Sequence, residues 1–470
     1  MVLTRGCGRL IRRDQNDDFP VARRCIVSGS AAPSGGGRRA RDAVVTGIGF
    51  CLPGDGRPVF TADDVWDTVS KGASRLLQDD AYYGSVDLSD AMFDERLPDI
   101  PPFFSRHYTA AHRFGLVSMA EACSDAQLDL LSGDLTDAAI LAGRGGVDAN
   151  IDSYLAVLQA DPETLSVAEA LELFVAAEQA VTPSDVALVQ GALARSRGPN
   201  FTVSCGCASS AVQIGNARRM IAGGEVDIAV VTGVDVFSVK LIRNIQRLLR
   251  GAQKTYDTIR SDDMPELLPS FDSLMRPYDR RADCINHGEG SVTVIMESRE
   301  HASRRGAHLY GQVLAQATTR DGLANPLASD ETGSELVTAV RRCLGDRWEI
   351  GQVPYVHGGS DGNVVVTAFE ANAIKELYGS AAQDLLMTSQ EGCFGHNGAP
   401  AGCLGVALTL LMMERGEVCP TANCEQPADN LTFDPVPGVL TRSLDFDYAL
   451  SFNYQVGGVK SAILLGSPDA

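Results

Sequence analysis

Two cysteines stand one residue apart in FTVSCGCASS, residues 201–210, between a β-branched run and a stretch of small helix-forming residues. A thiol just before a helix's first turn faces unpaired N–H groups and the positive end of the helix dipole. Both favour the thiolate, which is the nucleophilic form. Cys207 lies nearer the helix start than Cys205, although strand alternation puts both on one face until the turn intervenes. Two histidines occupy comparable places. YVHGGSDG sets His357 at the end of a buried strand, and EGCFGHNGAPAG sets His396 in a glycine-rich loop ahead of a helix. Strand exits followed by flexible turns are where α/β proteins place chemistry. A thiol with two imidazoles fits a nucleophile and its acid/base or oxyanion partners. Buried core thiols and structural histidines are the alternative reading.

These groups need a scaffold, and the pattern of the chain supplies one. DAVVTGIGFCLPG, NFTVSC, VDIAVVTGVDV, SVTVIMES, VPYVHGG, DLLMTS, FDYALSF and VKSAILLG read as strands. Helices are predicted over 107–131, over 165–195 with a break near Pro183, and over ASSAVQIGNARRMIAGG, ELVTAVRRCL, TAFEANAIKELYG and PAGCLGVALTLLMMERG. Strands alternating with helices indicate α/β layers on a parallel or mixed sheet. Residues 1–41 mix Arg, Gly, Ser and Pro without an apolar period and read as a disordered extension.

The chain has 470 residues, a formal net charge of −20, 44% hydrophobic and 21% charged residues. That describes an ordinary protein with ample core and no apolar run long enough to span a membrane. The acidic balance argues against nonspecific nucleic-acid binding. Twelve cysteines lack CxxC pairs or Cys/His ligand spacing, which argues against zinc and for a reducing cytoplasm.

Together these segments resemble the β-ketoacyl synthases of the thiolase superfamily, from AVVTGIGFCLPG to SAILLG. GCASSAVQIGNARRMIAGGEVDIAVVTGVD matches the nucleophile segment and aligns Cys207 with the reactive cysteine. RPYDRRADCINHGEGS matches the Pro-Phe-Asp … Gly-Glu-Gly segment, HGGSDG loosely matches His-Gly-Thr-Gly-Thr, and GHNGAPAG matches the second half of Lys-Ser-x-x-Gly-His … Gly-Ala-x-Gly. The resemblance implies a duplicated five-layer α/β/α/β/α fold with mixed sheets, one half at 42–298 carrying the cysteine and the other at 299–470 carrying the histidines. It also implies decarboxylative Claisen condensation in a polyketide or fatty-acid-like pathway. An acyl group on Cys207 meets a malonyl-type extender on an acyl carrier protein, and His357 and His396 hold the enolate oxygen. The substrates ride on the carrier's phosphopantetheine, and no tightly bound cofactor or metal is expected. A homodimer or a heterodimer with a related ketosynthase is expected. The second oxyanion donor is expected in the loop Val456, Gly457, Gly458, where valine stands at the family's phenylalanine position.

The motif's lysine is absent. Counting back from His396, Glu391 holds its place, and Glu289 of the Gly-Glu-Gly segment would turn a lysine–glutamate pair into two carboxylates. HGGSDG lacks both threonines, Cys284 replaces a glycine, INH replaces an aromatic-apolar stretch, and Lys460 replaces an asparagine. The chain is expected to be a divergent member. In KLIRNIQRLLRGAQK, Lys240, Arg243, Arg247, Arg250 and Lys254 fall on one helix face. They read as a solvated face or as a docking patch for the acidic carrier. Competing functions are acyl transfer to an amine, hydroxyl or thiol, a non-catalytic chain-length partner, and a thiolase. The cysteine and histidines argue against the partner, and the lack of a cysteine after Cys424 argues against the thiolase.

Overall fold

The computed structural model of the chain describes residues 40–79, 81–145, 156–161, 163–181, 185–237, 273–326 and 328–470. The stretch Lys240–Lys254 and residues 1–39 of the expected extension lie outside these. Arg41, at the end of that extension, is anchored. Its guanidinium donates to the Ile221 and Val226 carbonyls and pairs with Asp227.

Among the described residues, ten strands form one hydrogen-bonded sheet. They are β1 (Ala43–Cys51), β2 (Ala139–Gly143), β3 (Asn200–Val203), β4 (Ile228–Asp235), β5 (Gly290–Ser298), β6 (Gly311–Arg320), β7 (Tyr355–His357), β8 (Leu386–Thr388), β9 (Tyr448–Gln455) and β10 (Val459–Gly466). Their order is β8-β7-β9-β10-β6-β1-β5-β4-β2-β3. Numbered within its own half, each set of five reads 3-2-4-5-1 outward to inward. In each, the first three neighbours are parallel and the last two pairings antiparallel. Within the sheet, the described residues of the halves pair through Val44↔Gln312 and Val45↔Gly311. The same irregular order twice in one chain is the mark of a duplicated unit, and the sheet is mixed, as expected.

β1, β4 and β5 are buried along their whole length. Continuous apolar runs of this kind suit strands covered on both faces. Helices α1 (Ala110–Asp125) and α2 (Asp185–Ala194) pack on the first half. Helices α4 (Ser334–Leu344) and α5 (Val364–Tyr378) lie on the outer side of the second half. Between the halves lie α3 (Ser209–Gly223) and α6 (Ala401–Arg415), which touch each other and strands of both. α6 is buried from Ala401 to Met413, which is why it is apolar all round. At the α3–α6 crossing a Cβ on Gly402 would lie 2.3 Å from the Ala211 nitrogen, so only glycine permits this approach. The five layers are therefore α/β/α/β/α, and both central helices begin at the loops that carry Cys207 and His396.

Candidate active site

Cys205 and Cys207 leave β3 through a tight turn. Gly206, at φ +50°, reverses the backbone between them and sends the two thiols to different partners. Cys205 Sγ donates to Gln455 Oε1 at 3.2 Å, and burial, with Cys207 nearby, raises its pKa. Cys207 Sγ lies 2.9 Å from His396 Nε2. The structure thus separates the two cysteines that the spacing left together.

The helix start carries no serine cap. The N-cap of α3 is Ala208, without a side-chain cap. Ser209 Oγ instead accepts from the Cys205 N–H at 2.8 Å and sits 3.0 Å from the Arg144 carbonyl, bracing the turn. Ser210 Oγ accepts from Cys403 N at 3.0 Å and donates to the Ala399 carbonyl, tying α3 to the histidine loop. The Cys207 N–H makes no hydrogen bond among the described residues and stays open to a ligand at the helix mouth.

His396 follows a one-turn helix, Glu391–Phe394, and Gly395 at φ +86°. Its backbone is clamped by His396 N–H to the Asn286 carbonyl at 2.7 Å and Gly288 N–H to its own carbonyl at 3.0 Å. The ring's Nδ1 lies 3.0 Å from Glu391 Oε2 and 4.0 Å from Asp361 Oδ2. Burial alone would lower the His396 pKa, but Cys207 and Glu391 override it and hold the ring well above the usual imidazole range. Burial raises the carboxyls of Glu391 and Asp361 against the pull of His396, and Asp361 pushes Glu391 further up.

Glu289 accepts from Ser85 Oγ at 3.1 Å and from the Val86 N–H at 2.9 Å. The second carboxylate near Glu391 is Asp361, at the second threonine position of HGGSDG, which sequence reasoning missed. His357 makes no hydrogen bond to Cys207 or His396 among the described residues. It ends β7, buried, with both ring nitrogens unpartnered among the described residues. The ring sits against α6, where a Cβ on Gly405 would lie 3.1 Å from Nδ1 and 2.6 Å from Ser451 Oγ. Burial pushes its pKa down to about 4, with Gln390 beside it acting the other way. His357 is therefore a neutral imidazole carrying one N–H.

Sequence reasoning also missed His287. Its ring stacks on Phe237 with centroids 4.7 Å apart and lies 6.2 Å from the His396 ring. Burial, and then the charge of His396, lower its pKa to about 3. INH flagged the position as unusual but not its proximity.

The loop Val456, Gly457, Gly458 joins β9 to β10, with Val456 exposed and the glycines at φ +90° and +87°. Gln455, just before it, reaches the nucleophile turn: a Cβ on Gly206 would meet Gln455 Cγ at 2.6 Å. Lys460 Nζ lies 3.1 Å from Asp321 Oδ2 and 3.8 Å from the Phe369 ring centre.

A thiol hydrogen-bonded to an imidazole, itself held by a carboxylate, is an activated nucleophile at a helix start. On a duplicated five-layer fold, such a thiol can carry an acyl group as a thioester. Residues 40–302 match the family described as "Beta-ketoacyl synthase, N-terminal domain", and 310–425 match "Beta-ketoacyl synthase, C-terminal domain". The chain belongs to the β-ketoacyl synthase family. It is 28% identical over 438 residues to the tetracenomycin polyketide synthase ketoacyl synthase alpha subunit of Streptomyces glaucescens, covering 90% of this chain and 97% of that one. It is 25% identical over 440 residues to 3-oxoacyl-[acyl-carrier-protein] synthase 2 of Vibrio harveyi, with 90% and 98% covered. Among solved structures, the ishigamide ketosynthase/chain length factor superposes with TM-score 0.74 at 21% identity, covering 91% and 99%. A type II polyketide synthase acyl-carrier protein complex with its ketosynthase, bound to the hexaketide, gives 0.70 at 20%, covering 91% and 99%.

Proposed function

We propose that this β-ketoacyl synthase condenses an acyl group on Cys207 with a malonyl-type unit on an acyl carrier protein, in a polyketide or fatty-acid-like pathway. The observation that carries the assignment of roles is the 2.9 Å contact between Cys207 Sγ and His396 Nε2. In the first step the thiolate attacks the carrier thioester, and the thiol proton leaves through His396 to the departing carrier thiol. In the second, the malonyl thioester loses carbon dioxide. Its enolate carbon attacks the Cys207 thioester, releasing a β-ketoacyl carrier and the Cys207 thiolate. The neutral N–H of His357 donates to the enolate oxygen, and the Cys207 N–H with a donor from Val456–Gly458 holds the tetrahedral oxyanion.

In this reading the halves divide between 298 and 299, the enzyme works in the cytoplasm, and it pairs with a second ketosynthase-type subunit. Lys240, Arg243, Arg247, Arg250 and Lys254 dock the carrier. Charge reversal at Arg247 and Arg250 should raise KM for carrier-bound substrate and leave small thioesters unaffected; equal damage to both would remove the docking patch. The main test incubates the enzyme with acyl and malonyl carriers. Added acyl mass on Cys207 together with carbon dioxide release is expected. Acylation without carbon dioxide would overturn condensation.

A further inference from the structure

We infer that Cys207, His396 and Glu391 form a relay that also passes the Cys207-bound acyl group to water, making the site a thioester hydrolase when no extender is present. The inference rests on the acyl-enzyme of the proposed function.

The geometry that carries it is the direction of the proton path. Glu391 Oε2 faces His396 Nδ1 at 3.0 Å, and Nε2 faces the sulfur at 2.9 Å. A carboxylate at Nδ1 fixes the proton there, so the neutral ring turns its lone pair on Nε2 toward Cys207. Before acylation that lone pair takes the thiol proton. After acylation, once the proton has left with the carrier thiol, it faces the thioester carbon's approach side as a base.

An enolate carbon attacking the thioester has no proton to lose and needs no such base. An O–H nucleophile does. Water attacks the carbonyl carbon and gives its proton to Nε2. The C–S bond then breaks, and the sulfur recovers that proton, leaving Cys207 thiol and a free carboxylic acid. The Cys207 N–H, open at the start of α3, faces the developing oxyanion.

The site's charge points the same way. The motif places a lysine where this chain has Glu391, and Asp361 Oδ2 adds a second carboxyl 4.0 Å from Nδ1. A lysine ammonium could not accept the Nδ1 proton, whereas Glu391 can, and that leaves Nε2 as the base. Cys205 and Cys207 are only partly buried. The titratable groups facing His396 are Cys207, Glu391, Asp361 and His287.

The test loads Cys207 from an acyl carrier protein, removes excess carrier, and follows loss of acyl mass in buffer. The comparison is the same acyl thioester of a small thiol at the same pH. The wild-type acyl-enzyme should decay about 100-fold faster than the small thioester, a typical general-base contribution. Glu391→Gln should bring the decay close to the small-thioester rate and flatten its pH profile, while Glu391→Asp should restore part of it. Wild-type decay no faster than the small thioester overturns the inference, whatever the variants do. So does a folded Glu391→Gln enzyme that decays like wild type. A stable acyl-enzyme that releases carbon dioxide with malonyl carrier defeats the relay but leaves condensation standing. Failure to acylate Cys207 defeats both.

Discussion

Asp235, the last residue of β4, joins the two halves of the site. Its buried carboxylate accepts from the Gly145 N–H, at 2.8 and 3.1 Å to its two oxygens, and from the Ala399 N–H at 2.7 Å. Arg144 Nη1 lies 3.8 Å away. Ala399 is three residues past His396, and Gly145 adjoins the Arg144 carbonyl that braces Ser209. Asp235→Asn keeps one acceptor oxygen but turns an NH2 toward one of the two N–H donors. A hydrogen bond to a charged group contributes about 1.5–3 kcal/mol, and a buried donor left facing another donor costs about 1–3 kcal/mol. The expected loss is about 2–4 kcal/mol of the roughly 5–15 kcal/mol typical of a folded protein. The variant should fold, with its urea midpoint clearly lowered.

The catalytic effect should be the larger one. A misplacement near 1 Å costs about 100-fold in rate when it moves a reacting group. Initial Cys207 acylation by a small acyl thioester, followed by intact mass, should fall by about that factor. Gly145→Ala probes the contact from the other side, because its Cβ would lie 2.3 Å from Asp235 Oδ2. If Asp235→Asn unfolds within about 0.5 kcal/mol of wild type, the ordinary spread for a neutral surface change, and acylates at an unchanged rate, the pinning argument is wrong.

Cys207→Ala should abolish covalent acylation, whereas Cys205→Ala should retain it, losing only the 3.2 Å bond to Gln455; mass mapping of the acylated peptide distinguishes them. Gly206→Ala should destabilise the protein by about 1–2 kcal/mol through its left-handed φ of +50° and displace Gln455, and a wild-type urea midpoint would contradict this. Glu370 supplies a pH test. Burial pushes its carboxyl from 4.5 up to about 7, against hydrogen bonds from the Gly359 N–H and the Tyr454 and Tyr278 hydroxyls. The folded state therefore holds this proton more tightly, and its contribution is complete below pH 4.5 and lost as pH rises through 7, by about 3 kcal/mol. Glu370→Gln should remove that part of the slope between urea unfolding at pH 5 and pH 8, and parallel slopes would refute it.

Much of the fold was legible because the central strands are unambiguous. AVVTGIGFC, IAVVTGVD and GSVTVIMES carry unbroken runs that only a two-sided burial explains. α3 announces its end with Gly224, in the left-handed conformation at φ +75°. β2 and β6 escaped prediction for opposite reasons. AILAG is five residues of small and apolar types that suit helix as well as strand, and GQVLAQATTR turns polar toward its exposed end. Neither has a periodic signature, so their place comes from pairing with neighbours.

The site divides in the same way. Residue type and local punctuation marked Cys207, His357 and His396, but which carboxylate reaches which imidazole depends on strand pairing. β7 and β8 run parallel with His357 beside Thr388, so the segments leaving both strands travel together. One delivers Asp361 and the other Glu391 to the same side of His396, at 4.0 and 3.0 Å from Nδ1. Glu289 follows a different path, from the start of β5 toward Ser85 and Val86. Within one strand nothing records its neighbour's register, so the carboxyls that flank His396 could be read only in three dimensions. The same pairing explains the two imidazoles. His357 is still inside the strand, where burial pulls its pKa down, whereas His396 lies beyond a strand end, between two carboxyls and a thiol, which pull its pKa up. Position relative to the strand end thus gives two identical side chains surroundings that shift their pKa values in opposite directions.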